Sequence, residues 1–225
     1  MSSARHWQDE AERWAAWART PGHDAYWDYR DAFFDLVPPS GRATLEVGCG
    51  EGRVSRDLVA RSHTVTGVDV AGVLVDLAVA ADPGSTYLVG DASALPFPDA
   101  SFDTVVAYNS LMDVDDLPGA IAEIARVLEP GGRLCACVTH PTRDACERVG
   151  DRFVIEHPYL ERRQFQGTFT RGGLTMTFKG WCYPLEAYSQ ALEAAGFAIE
   201  AQYGDWHRGP ITDTSREIIT IARRI

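Results

Sequence analysis

Short apolar runs rich in valine alternate along this chain with segments in which apolar residues recur every three to four positions. The runs lack a polar face, as do strands that are buried on both sides. Strands are predicted at 43–48, 63–69, 85–90, 102–109 and 133–140, and helices at 53–62, 72–81 and 118–132. This alternation predicts βαβ units and therefore an α/β fold with a doubly wound, mainly parallel sheet. Ligands should bind outside the carboxyl ends of its strands.

The helix predicted at 118–132 carries signals for both of its ends. Pro118 suits the first turn of a helix, where the missing N–H donor has no intrahelical partner to lose. Gly131 and Gly132 follow the last apolar position, and we expect them to end the helix.

Aromatic residues are concentrated ahead of this core. One face of a predicted helix carries Trp7, Ala11, Trp14 and Ala18. A second helix carries Tyr26, Tyr29 and Phe33 and is stopped by Pro38-Pro39. Two interpretations are open for these helices. They pack on the sheet, or they also close over a pocket at the strand ends, in which case Tyr26 and Trp27 are our predicted substrate contacts.

A β-hairpin is predicted after the fifth strand. Gly172-Gly173 joins two alternating runs within 164–181, and the second run places Leu174, Met176 and Phe178 on one face. A helix at 184–197 follows the hairpin and ends at Gly196.

The net charge of the chain bears on which kinds of partner it can bind. The chain has 225 residues, with 21 Lys and Arg against 32 Asp and Glu, for a net charge of −11. A protein that binds nucleic acid needs clustered basic side chains against phosphates, so we expect no nucleic-acid partner. No apolar run approaches the roughly 20 residues that span a bilayer, and the N-terminal residues are polar and acidic. We therefore expect a cytoplasmic protein without a membrane partner.

The five cysteines, at positions 49, 135, 137, 146 and 182, form no C-x-x-C pair. Period 2 places Cys135 and Cys137 on the same face of one strand, and suitably spaced further ligands are missing. We interpret the cysteines as small buried residues in a reducing compartment and predict no metal site.

The stretch TLEVGCGEGRVSRDL, residues 44–58, has the glycine-rich turn of a nucleotide-binding βα unit. A dinucleotide fingerprint G-x-G-x-x-G would require a third glycine at position 53, which is Arg53. The pattern is instead E-x-G-x-G-x-G, and Glu46 would repel a pyrophosphate but suit a ligand that carries a cation. S-adenosylmethionine carries both an ammonium and a sulfonium, and has no phosphate.

Two carboxylates extend this pattern. Asp69 ends the second strand, where a carboxylate can accept hydrogen bonds from ribose hydroxyls in either kind of cofactor site. Asp91 follows the third strand in Gly-Asp-Ala, before Leu-Pro-Phe, and could accept from an adenine amino group. Together with EIARVLEPGGRL at 123–134, these residues resemble the class I S-adenosylmethionine-dependent methyltransferases, type 11 small-molecule branch, over about residues 43–140.

The resemblance implies a set of cofactor contacts. Glu46, Gly48 and Gly50 would line the methionine part, Asp69 the ribose, Asp91 and Ala92 the adenine, and Asn109 would face the methionine amino group; Cys49, Val70 and Ser110 are expected beside them. It also implies a seven-stranded sheet of order 3-2-1-4-5-7-6 with strand 7 antiparallel, the last two strands being 198–204 and 216–224. Many relatives carry a histidine after the fourth strand where this chain has Asp113, so no role of that histidine can be transferred.

The resemblance further implies one methyltransferase domain over 1–225. Its parts are a helical cap (1–39), a cofactor-binding core (40–140), an acceptor-pocket insertion (141–183) and a C-terminal helix with two strands (184–225). We expect a monomer or homodimer.

The expected activity is methyl transfer to a hydroxyl, amine or activated carbon of a small-molecule acceptor, in a secondary metabolite. His140, at the end of the fifth strand, is the predicted general base, although a structural role before Pro141 is an open alternative; His157 and His207 are weaker candidates. A second hypothesis is a methyltransferase-like protein that binds the cofactor as a partner subunit or for a different reaction.

Overall fold

A computed structural model describes residues 2–141, 146–149, 152–155 and 162–225, and the side chains of 2–141 and 162–225. The helices are α1 (Ser3–Arg19), α2 (Tyr26–Phe34), α3 (Arg53–Val59), α4 (Gly72–Ala81), α5 (Leu117–Val127) and α6 (Leu185–Ala194). The strands are β1 (Thr44–Val47), β2 (Val65–Asp69), β3 (Thr86–Val89), β4 (Phe102–Tyr108), β5 (Leu128–Thr139), β6 (Cys146–Val149), β7 (Arg152–Ile155), β8 (Arg163–Arg171), β9 (Leu174–Cys182), β10 (Phe197–Tyr203) and β11 (Glu217–Arg224).

Seven of these strands form one sheet in the order β3-β2-β1-β4-β5-β11-β10. The first five strands along the chain pair in parallel, whereas β11 is antiparallel to both β5 and β10. Both the strand order and the antiparallel strand implied by the resemblance are confirmed, and with them the doubly wound α/β fold.

The predicted end of the fifth helix is wrong. α5 ends at Val127, and β5 begins at Leu128 rather than after Gly131-Gly132. The fully buried Leu128 has an extended backbone and pairs with Phe102 of β4. Pro130 also disfavours the helical conformation at Glu129. Packing and Pro130 therefore end the helix before the glycines are reached.

The sheet is covered on both faces because alternate residues of its central strands point to opposite sides. Val105 belongs to the core that contains residues of α5 and α6. Val106 belongs to a second core that contains residues of α2 and α3, together with Trp206. The central strands β1 and β4 are thus buried on both faces, as their apolar sequences predicted.

The two N-terminal helices form a cap in which α2 packs on the second face of the sheet, whereas α1 packs against α4 and β9. In α1 the predicted stripe is confirmed, since Ala11 and Ala18 are buried and Trp7 and Trp14 are partly buried. In α2, Phe33 is fully buried between the rings of Tyr108 and Trp206, at 4.8 and 5.9 Å between ring centroids.

The predicted hairpin is also confirmed. β8 and β9 pair antiparallel around Gly172-Gly173, whose φ angles of +56° and +80° suit glycine. Phe178 of β9 contacts Trp14 and Trp17 of α1 at 6.1 and 5.9 Å between ring centroids. The hairpin is therefore held against the cap.

The cysteine side chains at positions 49, 135, 137 and 182 are buried, as predicted. The side chain of Cys146 lies outside the described residues. No helix within the described ranges is both long enough and apolar enough to cross a bilayer.

The packing of α2 predicts a large effect of Phe33→Ala. Deleting a fully buried ring leaves a cavity, so the free energy of unfolding should fall by about 3–5 kcal/mol. Phe169, which is 54% exposed, is the control, and Phe169→Ala should change stability by about 0.5 kcal/mol or less. Urea denaturation measures both. Equal effects would show that the cap is not part of the folded core.

Candidate active site

A cavity of about 810 Å³ lies at the carboxyl ends of the parallel strands, between the sheet, the cap and the β8–β9 hairpin. The last residues of β1, β2, β4 and β5 line it, as does the first residue of the antiparallel β11. These are Val47, Asp69, Tyr108, Thr139 and Glu217. Its position agrees with the rule for ligand sites in open α/β sheets.

The glycine loop between β1 and α3 forms one wall. Gly48, Gly50 and Gly52 have φ angles of +73°, +53° and +82°, which favour glycine. A Cβ at Gly48 would overlap the side chain of Ser110, and one at Gly50 would lie 3.1 Å from Trp14 Nε1. The close neighbours of the loop are thus side chains of this protein, and its cavity-facing backbone stays open to a ligand.

Asp69 fixes the loop from the end of β2. Its Oδ2 accepts from the Gly50 N–H at 2.8 Å and its Oδ1 accepts from the Ala71 N–H at 2.9 Å. Burial raises the pKa of this carboxyl, and the backbone donors oppose the rise. Each oxygen has a further acceptor position, so the carboxylate can still accept ribose hydroxyls.

Glu46 lies behind the loop. Its carboxylate is 2% exposed and accepts from the Ser55 hydroxyl. It lines a separate pocket of about 30 Å³, shared with Gly48, Gly50 and Trp14. Burial, the largest cause, raises the pKa of Glu46 to about 8, opposed by the Ser55 hydrogen bond.

The wall continues away from the glycine loop with Val70, Asp91 and Ala92, which also line the cavity. The exposed Asp91 closes a turn by accepting from the backbone N–H and the hydroxyl of Ser93, at 2.8 and 2.7 Å. Asp91 is therefore a fixed acceptor on the far side of Asp69 from the glycine loop.

Asn109 and Ser110 follow β4 and also line the cavity. Ser110 donates its hydroxyl to the Val47 carbonyl at 2.6 Å. Asn109 has a φ of +48°, and its buried Oδ1 has no hydrogen-bond partner within the described part of the chain. Because Asn109 lines the cavity wall, this oxygen can accept a hydrogen bond from a bound ligand.

Aromatic side chains from three elements form another part of the wall, which we call the aromatic lobe. It comprises Trp7, Trp14 and Trp17 of α1, Phe165 and Phe169 of β8, and Phe178 of β9. Tyr26 of α2 lines the cavity nearby. Both open interpretations of the cap thus hold in part, because it packs on the sheet and also covers the cavity.

Besides Glu46, three of the predicted site residues lie outside the wall of the main cavity. Cys49 packs behind the loop against Tyr87, and burial raises the pKa of its thiol. Trp27 donates its indole N–H to the Ala18 carbonyl at 3.2 Å. His140 is 2% exposed, and burial lowers its pKa. These positions give no support to a catalytic role for His140 or a substrate role for Trp27.

Two other histidines were predicted as weaker candidates for the general base. His207 is exposed in the loop between β10 and β11, and His157 lies outside the described residues.

Sequence reasoning missed several residues of the cavity wall. Tyr108 and Glu217 are both buried there, and Arg53 lines it next to the glycine loop. A polar residue at the end of an otherwise apolar strand was the available signal for Glu217. No described cluster of three or more histidine, cysteine or acidic residues could hold a metal ion.

Comparison with known proteins decides the family. A family model described as a methyltransferase domain matches residues 45–136. A demethylmenaquinone methyltransferase of Tropheryma whipplei (strain Twist) is 31% identical over 191 residues, covering 82% of this chain and 76% of that protein. The chain belongs to the S-adenosylmethionine-dependent methyltransferases.

Solved structures agree on the fold of this methyltransferase. An S-adenosylmethionine-dependent methyltransferase from Mesorhizobium loti is 23% identical with a TM-score of 0.69, covering 89% of this chain and 98% of that one. The CcbJ methyltransferase from Streptomyces caelestis is 20% identical with a TM-score of 0.70, covering 100% and 98%.

The residues present fit S-adenosylmethionine, the cofactor of this methyltransferase. The unsatisfied oxygen of Asn109 can accept from an ammonium group, and the fixed carboxylate of Asp69 can accept from hydroxyls. When bound, the cofactor supplies a methyl group activated by a sulfonium. The chain itself has to hold, orient and desolvate the reacting groups.

The buried Glu46 predicts an unusual pH dependence. Its pKa is about 8 in the folded protein against 4.5 ordinarily, so between these values the unfolded chain binds fewer protons and stability falls as pH rises. Glutamine does not titrate, so the Glu46→Gln variant should not show this fall in stability as pH rises. In thermal denaturation without ligand, the variant should therefore gain stability over wild type between pH 5.5 and pH 8, on the order of 2 kcal/mol.

Glu200→Gln is the control for this measurement. Hydrogen bonds from Arg133 lower the pKa of Glu200, so its removal should give no gain at high pH. A Glu46→Gln variant whose advantage does not change with pH would contradict the buried, protonated state of Glu46.

Proposed function

We propose that this methyltransferase methylates a small, apolar, ring-bearing molecule through a hydroxyl, amine or activated carbon. The observation that carries the proposal is the continuity of one cavity, which joins the glycine loop to the aromatic lobe. Small-molecule sites have volumes of roughly 300–1,000 Å³, and the volume of this cavity, about 810 Å³, lies in the upper part of that range. One cavity can therefore bring a cofactor and an acceptor together.

The proposed cofactor contacts follow the geometry of the wall. Gly48, Gly50, Asn109 and Ser110 would surround the methionine part of the cofactor. Glu46 would act from behind the loop, as a buried acid that favours a cationic ligand.

In the same proposal, Asp69 would accept the ribose hydroxyls. Val70 would pack against the adenine, and Asp91 with Ala92 would contact its polar edge. The spread of these residues along the wall, from the glycine loop to the turn after β3, supports this direction of binding.

The aromatic lobe supports the choice of acceptor. Rings that meet edge to face, as Trp14 and Phe178 do, offer apolar faces to a flat molecule. Such faces also stabilise a nearby cationic sulfonium by on the order of 1 kcal/mol each. A relative that covers most of the chain is named for demethylmenaquinone, a name that fits an apolar ring-bearing acceptor.

Methyl transfer to a hydroxyl also requires a proton acceptor. Glu217 is buried in the cavity wall and pairs in register with Thr139 at the end of β5. We propose Glu217 as the first candidate for this role, ahead of His140, because Glu217 lines the cavity.

Calorimetric titration tests the cofactor assignment. S-adenosylhomocysteine should bind and NAD should not, because the loop presents acids and has Arg53 where a dinucleotide fingerprint has its third glycine. Asp69→Ala should weaken S-adenosylhomocysteine binding by about 1–3 kcal/mol through the loss of a charged acceptor. Tighter binding of NAD would overturn the assignment, and an unchanged dissociation constant in Asp69→Ala would remove Asp69 from the cofactor site.

A further inference from the structure

Arg53 is the first residue of α3, directly after the glycine loop, yet its side chain contacts the cap. Its guanidinium forms an ion pair with Asp24 Oδ2 at 2.7 Å and donates to the Ala18 carbonyl at 3.3 Å. The same group lies 4.3 Å from the ring centroid of Tyr26 and 5.1 Å from that of Trp14. One side chain thus contacts α1, α2 and the turn between them.

This ion pair is largely shielded from water. The side chains of Arg53 and Asp24 are only 12% and 19% exposed, so water screens them less than a surface pair. A planar guanidinium can also bind a carboxylate, a carbonyl and aromatic faces at once, which a lysine ammonium cannot. Both residues line the main cavity.

A second ion pair joins the same two parts of the molecule. Glu51, in the glycine loop, is 1% exposed and accepts from Arg19 Nε at 2.7 Å. Arg19 lies in the last turn of α1 and also donates to the Leu77 carbonyl of α4. Glu51 is held from its other side by Arg56, at 2.9 Å to both carboxylate oxygens.

We propose that Arg53 is a positioning residue that couples the glycine loop to the cap. A ligand that orders the loop would thereby also fix α1 and α2, and α1 carries three of the six rings of the aromatic lobe. By thermodynamic reciprocity, loosening the cap weakens ligand binding at the loop. This inference rests on the proposed function, because it assumes that S-adenosylhomocysteine binds at the glycine loop.

Arg53→Met tests this coupling. Calorimetry should give a dissociation constant for S-adenosylhomocysteine about tenfold above that of wild type. Hydrogen exchange should show that S-adenosylhomocysteine protects α1 and α2 in wild type and protects them much less in the variant. Arg53→Lys keeps the charge but not the planar fork, and should restore part of the affinity.

Arg61→Met is the matched control. Arg61 follows α3, donates to Asp31 of α2 at 3.2 Å and lies 4.0 Å from the ring centroid of Phe34. It therefore also ties α3 to the cap, but it does not line the main cavity. Its loss should lower the melting temperature while leaving the dissociation constant within twofold of wild type.

A further variant, Asp24→Asn, changes the ion-pair partner of Arg53. Asp24→Asn alone should weaken binding, and adding it to Arg53→Met should cause little further loss because both remove one interaction.

Two results would overturn the proposal. One is a dissociation constant for Arg53→Met within twofold of wild type. The other is equal weakening by Arg53→Met and Arg61→Met, which would show a general loosening of the cap. Failure of the wild-type protein to bind S-adenosylhomocysteine would overturn the proposed function and this inference with it.

Discussion

The hydrogen bond from the Gly50 N–H to the carboxylate of Asp69 fixes the geometry on which the rest of the site depends. It joins the turn after β1 to the end of β2, so the loop cannot move independently of the sheet. With the loop so placed, Ser110 packs where a side chain at Gly48 would be, and Trp14 approaches Gly50. The cap and the strand ends are thus both built around one short segment of backbone.

Two buried acids, Glu46 and Glu51, lie at the glycine loop. Their burial lowers the stability of the protein when no ligand is bound. Glu46 is kept from water and has its pKa raised, whereas Glu51 is compensated by Arg19 and Arg56. An uncompensated buried acid is costly unless it is protonated or meets a cation. A cofactor with an ammonium and a sulfonium would relieve that cost, so the stability lost at Glu46 would be recovered in binding.

Local sequence signals predicted the sheet well but placed the site only partly. The apolar runs predicted the strands, and Gly48, Asp69 and Asp91 could be placed at the cavity because each lies at or just after the end of a strand. The end of α5 was missed because Leu128 pairs with a distant strand, which no local signal reports. The position of His140 outside the cavity and the pairing of Arg53 with the cap are likewise tertiary results, set by how separate elements pack.

In the proposed reaction, a methyl group passes from the glycine-loop side of one cavity to a small acceptor in the aromatic lobe. Incubation with methyl-labelled S-adenosylmethionine and a cell extract, followed by separation of small molecules, protein and nucleic acid, tests it most directly. Label should appear in small, organic-soluble, ring-bearing molecules, and none should appear when the protein is heat-inactivated. Label confined to protein or nucleic acid would contradict it.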